Sequence, residues 1–184
     1  MNRWIVYLIV LILCGCFGCT PSKNNYQLSK EELIVNEILA KTARRLKKET
    51  GLQPCGDGAQ MMYKVKKLNL SFDYQGPIEI DKARELLLTA VDALVSAVNA
   101  DQRIHPYLHN YPFEPKNVDI RIIVTGHDHL DVAPGELSVA SAIQGEFRYK
   151  IDNPTTNLFT IIHQETYAEA KQKVNDLSQV VPQG

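Results

Sequence analysis

Residues 68–99 read LNLSFDYQGPIEIDKARELLLTAVDALVSAVN, and this stretch decides the fold. Its first seven residues alternate between apolar and polar side chains, which is typical of a half-buried strand. Gln75-Gly76-Pro77 then turns the chain. From Asp81, a residue type suited to an N-cap, to about Asn99, apolar residues recur at helical spacing and are numerous enough to require a helix lying flat on a sheet. The stretch therefore predicts a strand followed by the core helix.

A shorter helix is predicted before this stretch, and a run of strands after it. Ser29 and Glu32 have the spacing of a capping box, and Gly51 is suited to end the helix that follows them. Residues 52–60 contain Pro54 and two glycines and are expected to form a loop. Alternation of apolar and polar residues predicts four further strands, at residues 118–124, 137–143, 147–151 and 158–163. Thr166 and Glu169 form a second capping pattern, which predicts a last helix at residues 166–177.

The predicted order is therefore helix, strand, helix, four consecutive strands, helix. Consecutive strands joined by short turns pair in antiparallel fashion, and the core helix connects the first strand to them. This order indicates an α+β fold with a mainly antiparallel four- to five-stranded sheet and helices packed on one face. Residues 28–184 are long enough to form a single domain with a substantial core.

The charge balance argues against a nucleic-acid partner. Without residues 1–15, which contain Arg3, 19 Lys and Arg face 21 Asp and Glu, so the net charge is −2. A nucleic-acid-binding domain would need a basic face. No cofactor is indicated either, because Gly56-Asp57-Gly58 lacks the third glycine and the preceding strand of a phosphate-binding loop.

The first twenty residues have the layout of a secretory signal peptide. A polar, positive start precedes the uninterrupted apolar residues 4–13, and small residues and cysteines come next. Leu13-Cys14-Gly15-Cys16 resembles the lipobox of bacterial lipoproteins, in which a peptidase cuts before the cysteine and the cysteine is lipid-modified. The resemblance implies that residues 1–15 are a signal peptide and that Cys16 is lipidated, with Cys19 as the second choice. An uncleaved membrane helix is the alternative, but the apolar run is shorter than the about 20 residues of a span.

A lipidated Cys16 would hold the domain at a membrane surface. Residues 16–27 would contain the lipidated cysteine and a polar tether, and the part from Thr20 onward spans at most about 25 Å when extended. The resemblance implies a bacterial cell envelope protein whose expected partner is another envelope protein. Phe17, in place of the aspartate that retains lipoproteins of enteric bacteria in the inner membrane, favours the outer membrane. Cys19 and Cys55 would remain, either as a disulfide or as separate thiols.

The clearest metal-binding pattern is His127-Asp128-His129-Leu130-Asp131. Two histidines one residue apart project to the same side of an extended chain, and imidazole and carboxylate ligands suit zinc. The pattern superficially resembles the histidine box of metallo-β-lactamase-fold hydrolases, but Val132 stands where that box has a further histidine. His127, His129 and Asp131 are the candidate ligands, and a polar loop closed by Pro134-Gly135 is the alternative.

Residues 101–116 combine aromatic side chains with three prolines, which exclude a regular helix. They are expected to form an ordered aromatic loop. Two interpretations stay open: the aromatic rings plug the end of the core, or they form a recognition surface, because Tyr and Arg supply rigid contact area at interfaces. The residues of this candidate surface are Arg103, His105, Tyr107, His109 and Tyr111.

No catalytic set is apparent in the sequence. His163 precedes Gln164-Glu165, and a His near a Glu can act as an acid–base pair, but no nucleophile is placed beside them. We therefore expect a non-enzymatic binding or scaffold module, with a metal-binding protein that uses the His127 loop as the alternative. Four short segments also resemble uncharacterised lipoproteins of intracellular bacteria, a likeness that implies no activity: 61–62, 70–72, 83–87 and 111–113.

Overall fold

The computed structural model describes residues 27–126, 130–153, 155–156 and 158–180, with the backbone alone for 178–180. These residues contain three α-helices, six strands and two short 3₁₀ turns. In chain order they are α1 (Lys30–Thr50), β1 (Gln53–Met61), β2 (Val65–Gln75), α2 (Ile80–Ala100), the 3₁₀ turns His105–Tyr107 and Pro115–Asn117, β3 (Val118–Thr125), β4 (Leu137–Ile143), β5 (Glu146–Asn153), β6 (Leu158–Thr166) and α3 (Tyr167–Val180).

The six strands form one sheet in the order of the chain, β1 to β6. Four of the five neighbouring pairs are antiparallel, whereas β2 and β3 are parallel. The parallel pair follows from the connection between the two strands, because parallel neighbours require a crossover, which α2 supplies. The fold is thus α+β with a mixed, mostly antiparallel sheet. The expected count of four to five strands was too small by at least one.

The additional strand is β1, which occupies the residues expected to form a loop. Gly56 and Pro54 suggested a loop because both residues are poor strand formers. β1 tolerates them because it is an edge strand with mostly exposed residues, and the register shifts beside Pro54. Gly58 also leaves room for Asn69 on β2, since a Cβ at position 58 would lie 3.0 Å from the amide nitrogen of that side chain. Hydrogen-bonded pairing with β2 therefore outweighs the low strand propensity of Pro54 and the glycines.

Local capping signals define the helix ends well, with one exception. The Ser29–Glu32 capping box and the left-handed Gly51 (φ 80°) that ends α1 are both present as predicted. The prediction of Asp81 as an N-cap was wrong, because Glu79 occupies that position without a side-chain cap. Asp81 instead lies in the first turn of α2, where a carboxylate suits the positive end of the helix dipole and contacts Arg84.

β3 and the middle of β2 alternate between buried and more exposed residues, whereas β4 is buried along almost its whole length. In β3, Val118, Ile120, Ile122 and Val124 are buried, as predicted, and the intervening residues are more exposed. The rows continue through the sheet: Ile122 pairs with Phe72 and Ala140, and Arg121 pairs with Ser71 and Ser141. The sheet therefore has an apolar face and a polar face. α1 contacts β1 and β2, α2 contacts β3 and β4, and α3 contacts β5 and β6.

Candidate functional site

The candidate metal site cannot be built from the described residues. His127 and His129 lie outside them, and Asp131 forms an isolated backbone bridge with Thr125 at the end of β3. Within the ranges that the structure covers, no three His, Cys, Asp or Glu side chains lie close enough to hold a metal ion. The assignment of His127, His129 and Asp131 as ligands stays a prediction from the sequence.

Two of the five candidate surface residues in the aromatic loop have structural partners. The guanidinium of Arg103 forms ion pairs with Glu37 at 2.9 Å and with Asp101 at 2.6 Å, which attaches the loop to α1. The Nε2 atom of His105 lies 3.0 Å from the carbonyl oxygen of Asn99 at the end of α2. These contacts hold the loop against the helices, and they support the interpretation that part of the loop closes the core.

Two of the other three candidate residues line pockets beside the hairpin that joins β1 and β2. The His109 amide donates to the carbonyl of Val65 at 2.9 Å, and His109 lines a groove beside the hairpin. Tyr107 lines a smaller pocket next to it. Tyr111 is exposed and stacks on His105, with ring centroids 4.3 Å apart. The structure therefore places Tyr107 and His109 beside the hairpin, and it places Tyr111 with His105 in the part of the loop that contacts the helices.

A buried ion pair that we did not predict connects α2 to β6. The Nε atom of Arg84 donates to Oε1 of Glu165 at 2.6 Å. Both side chains are almost fully buried, with exposed fractions of 5% for Arg84 and 2% for Glu165. A buried ion must be paired and hydrogen-bonded to offset its lost hydration. The Nη1 atom of Arg84 forms a further hydrogen bond by donating to Oδ1 of Asp81 at the surface.

Three further side chains complete the group around Glu165. The hydroxyl of Tyr149 donates to Oε1 at 2.7 Å, and the ammonium of Lys173 donates to Oε2 at 2.6 Å. The Nε2 atom of His163 lies 3.4 Å from Oε2. We call Arg84, Tyr149, His163, Glu165 and Lys173 the Glu165 cluster. It joins α2, β5, β6 and α3 at one point.

The contacts within the Glu165 cluster move the pKa values of Glu165 and Tyr149 away from neutral pH. Burial raises the pKa of Glu165, but hydrogen bonds from Lys173, Arg84 and Tyr149 outweigh burial and lower the pKa to about 2. Burial and the adjacent Glu165 carboxylate raise the pKa of the Tyr149 hydroxyl far above its ordinary value. A general acid or base works best with a pKa near the operating pH. Neither Glu165 nor Tyr149 therefore has the pKa of a general acid or base that works at neutral pH.

A cleft of about 570 Å³ opens beside the Glu165 cluster. Its walls come from the first turns of α2, from β6 and from the second half of α3. Ile80 and Leu177 supply apolar surface, and groups of both charges stand around them. The complete lining is Ile80, Asp81, Arg84, His163, Lys173, Asp176 and Leu177.

One local signal in the sequence pointed to this site. Arg84 follows Ile80 by four residues and precedes Leu87 by three, so it stands in the apolar stripe of the core helix. A charged residue in such a stripe is seldom buried without a partner. The partner could not be identified, because Glu165 lies 81 residues further along the chain. His163 and Glu165 were considered as a pair, but without Arg84 and Lys173.

Residues 1–26, including Cys16 and Cys19, lie outside the described residues, and Cys55 is exposed on β1. A helix with the length and apolarity of a membrane span does not occur in the part of the chain that the structure covers. A comparison of the chain with protein-family models gave no match, and neither did comparisons with curated protein sequences or with solved structures.

Proposed function

We propose that this protein is a non-enzymatic binding module of the bacterial cell envelope, anchored through a lipid on Cys16. The cleft beside the Glu165 cluster is the observation that carries the binding role. It combines an apolar floor with fixed charges of both signs, and the cluster beneath it is already hydrogen-bonded. The lipobox-like Leu13-Cys14-Gly15-Cys16 supports the anchor.

The lining of the cleft suits a short segment of a protein partner. Lys173 and His163 can donate hydrogen bonds to carbonyl or carboxylate oxygens, and Asp176 can accept them from an amide or ammonium group. Ile80 and Leu177 would pack against an apolar side chain of the same segment. An extended peptide offers these three features together.

The position of the cleft fits a membrane-anchored protein. α1 begins near the hairpin between β1 and β2, since Glu31 lines the same small pocket as Tyr63. The cleft involves the first turn of α2, which follows the opposite end of β2. Eleven residues of strand separate these ends by about 35 Å. A tether that enters at α1 would leave the cleft facing away from the bilayer. We propose that this bilayer is the outer membrane.

A photo-crosslinking amino acid at Leu177, in the lipidated chain in its own cells, would test this proposal. We expect one abundant adduct with an envelope protein, and we expect it to disappear in the unanchored Cys16→Ser variant. Asp176→Lys changes an exposed charge at the rim without touching the Glu165 cluster. We expect it to reduce the adduct by about tenfold, because like charges at an interface are strongly unfavourable.

The same crosslinker at Tyr111 serves as the matched control, since Tyr111 is exposed in the aromatic loop. An adduct from position 111 and none from position 177 would contradict the assignment of the cleft and move the binding surface to the aromatic loop. An adduct that persists unchanged in Cys16→Ser would contradict the role of the anchor.

A further inference from the structure

The tip of the hairpin between β1 and β2 exposes two large side chains. Met62 is 86% exposed and Tyr63 is 91% exposed, the highest values among the large hydrophobic residues that the structure describes. The tip is nevertheless held in place. The Lys64 ammonium donates to the carbonyl of Pro106, and the amide of His109 donates to the carbonyl of Val65, the first residue of β2 after the turn. The exposed pair is thus presented by a braced turn.

Two lysine side chains lie beside this tip. Lys64 and Lys66 line a groove of about 900 Å³ together with Met62, Tyr63 and His109. Among the described residues that line this groove and the small pocket beside it, the single acidic side chain is that of Glu31. An aromatic ring and a thioether next to lysines suit the interface of a bilayer, where rings sit at the headgroups and ammonium groups meet anionic lipids.

The anchored end of the chain emerges at the same place. Glu31, in the first turn of α1, lines the same pocket as Met62 and Tyr63. The chain from Cys16 to Gln27 can span at most about 40 Å. A lipid on Cys16 would therefore keep the hairpin tip within reach of the membrane surface throughout.

From these three observations we infer that the hairpin tip docks on the anionic bilayer that holds the anchor. Met62 and Tyr63 enter the headgroup region, and Lys64 and Lys66 contact anionic lipids. This inference rests on the proposed lipid anchor and adds an orientation to it. Docking fixes which end of the domain faces the bilayer, whereas the tether alone would allow the domain to rotate.

A single tryptophan can report this docking, because Trp4 is the chain's sole tryptophan and would be removed with residues 1–15 when the lipidated protein is processed. In the lipidated protein, Tyr63→Trp is placed at the tip and Phe159→Trp, in a second sample, on β6. Phe159 is 56% exposed and lies at the start of β6, an edge strand. Both proteins are reconstituted in vesicles of phosphatidylcholine and phosphatidylglycerol, with and without bromine on the acyl chains. We expect about twofold quenching and a blue shift at position 63 and neither at position 159.

A charge control tests Lys66, because Lys64 also holds the tip through its hydrogen bond to Pro106. Lys66→Glu should weaken the quenching at position 63. Lys47→Glu makes the same change in charge in the last turn of α1, at the other end of the helix, and should leave the quenching intact.

Equal quenching at positions 63 and 159, or none at 63, would overturn the docking. A blue shift at 63 without quenching by brominated lipid would also overturn it, because the tip would then be covered by protein. The mass of the N-terminal peptide from the same samples reports acylation of Cys16. An unmodified peptide would remove the anchor, while the quenching at 63 would still decide whether the tip binds lipid.

Discussion

Replacing Arg84 by methionine should lower the free energy of unfolding by about 3 kcal/mol, because it removes one of the two cations that pair with the buried Glu165 carboxylate. Methionine fills most of the volume of the arginine stem, so the loss reports the charge more than a cavity. The measurement is urea unfolding of the mature protein at pH 7, followed by circular dichroism and extrapolated to zero urea.

Lys82→Met is the matched control on the same helix. Lys82 pairs with Glu85 at 2.9 Å, but both side chains are about half exposed. Exposed pairs contribute little, so the change should stay within about 0.5 kcal/mol. The double variant Arg84→Met with Glu165→Gln should be less destabilised than the sum of the single variants, because each single variant already loses the interaction between Arg84 and Glu165. A loss below about 1 kcal/mol for Arg84→Met would contradict the structural role of the pair.

The elements that could be predicted are those whose signals lie within a few residues. The capping box at Ser29, the alternation in β3 and the Thr166–Glu169 pattern before α3 depend on neighbours in sequence, and all three are present in the structure. β1 depends instead on hydrogen bonds to β2, which the local sequence does not show. Its glycines and its proline therefore led to the wrong prediction of a loop. At an edge, pairing decides the conformation while most side chains remain exposed.

The side-chain partners in the candidate site could not be predicted for the same reason, because they are distant in sequence. The charge of Arg84 in an apolar stripe was visible, but its partner required the packing of α2 on β6. The aromatic loop was predicted to be ordered and free of regular helix, and the structure contains a 3₁₀ turn at His105–Tyr107 and the start of a second at Pro115–Asn117. Some residues of the loop brace it against Glu37 in α1, and others line a groove beside the hairpin. Glu37 and the hairpin are distant from the loop in sequence, so these roles could not be predicted.

Glu165 should also make stability fall in acid over a defined range. In the folded state its pKa is about 2, against an ordinary value of 4.5. Between these values the unfolded chain binds the proton more strongly than the folded protein does, so stability decreases as the pH falls. The contribution is complete above about pH 4.5 and is lost as the pH falls through about 2. One group of this kind adds at most about 1.4 kcal/mol per pH unit to the slope.

Glu165→Gln isolates that contribution, because the variant should be less stable at pH 7 and should lose less stability on acidification. Hydrogen bonds from lysine and arginine also lower the pKa of Glu37, those from Arg103 lower the pKa of Asp101, and those from Thr166 lower the pKa of Glu169, but all three carboxylates remain in the wild type and the variant. The difference between the two pH curves therefore belongs to Glu165.

Urea midpoints from pH 6 to pH 3 measure this difference. Asp176→Asn, which removes an exposed carboxylate from the cleft, should retain the wild-type slope. Parallel curves for wild type and Glu165→Gln would mean that the hydrogen bonds from Lys173, Arg84 and Tyr149 do not hold the carboxylate ionised, and the cluster would then not fix the wall of the cleft.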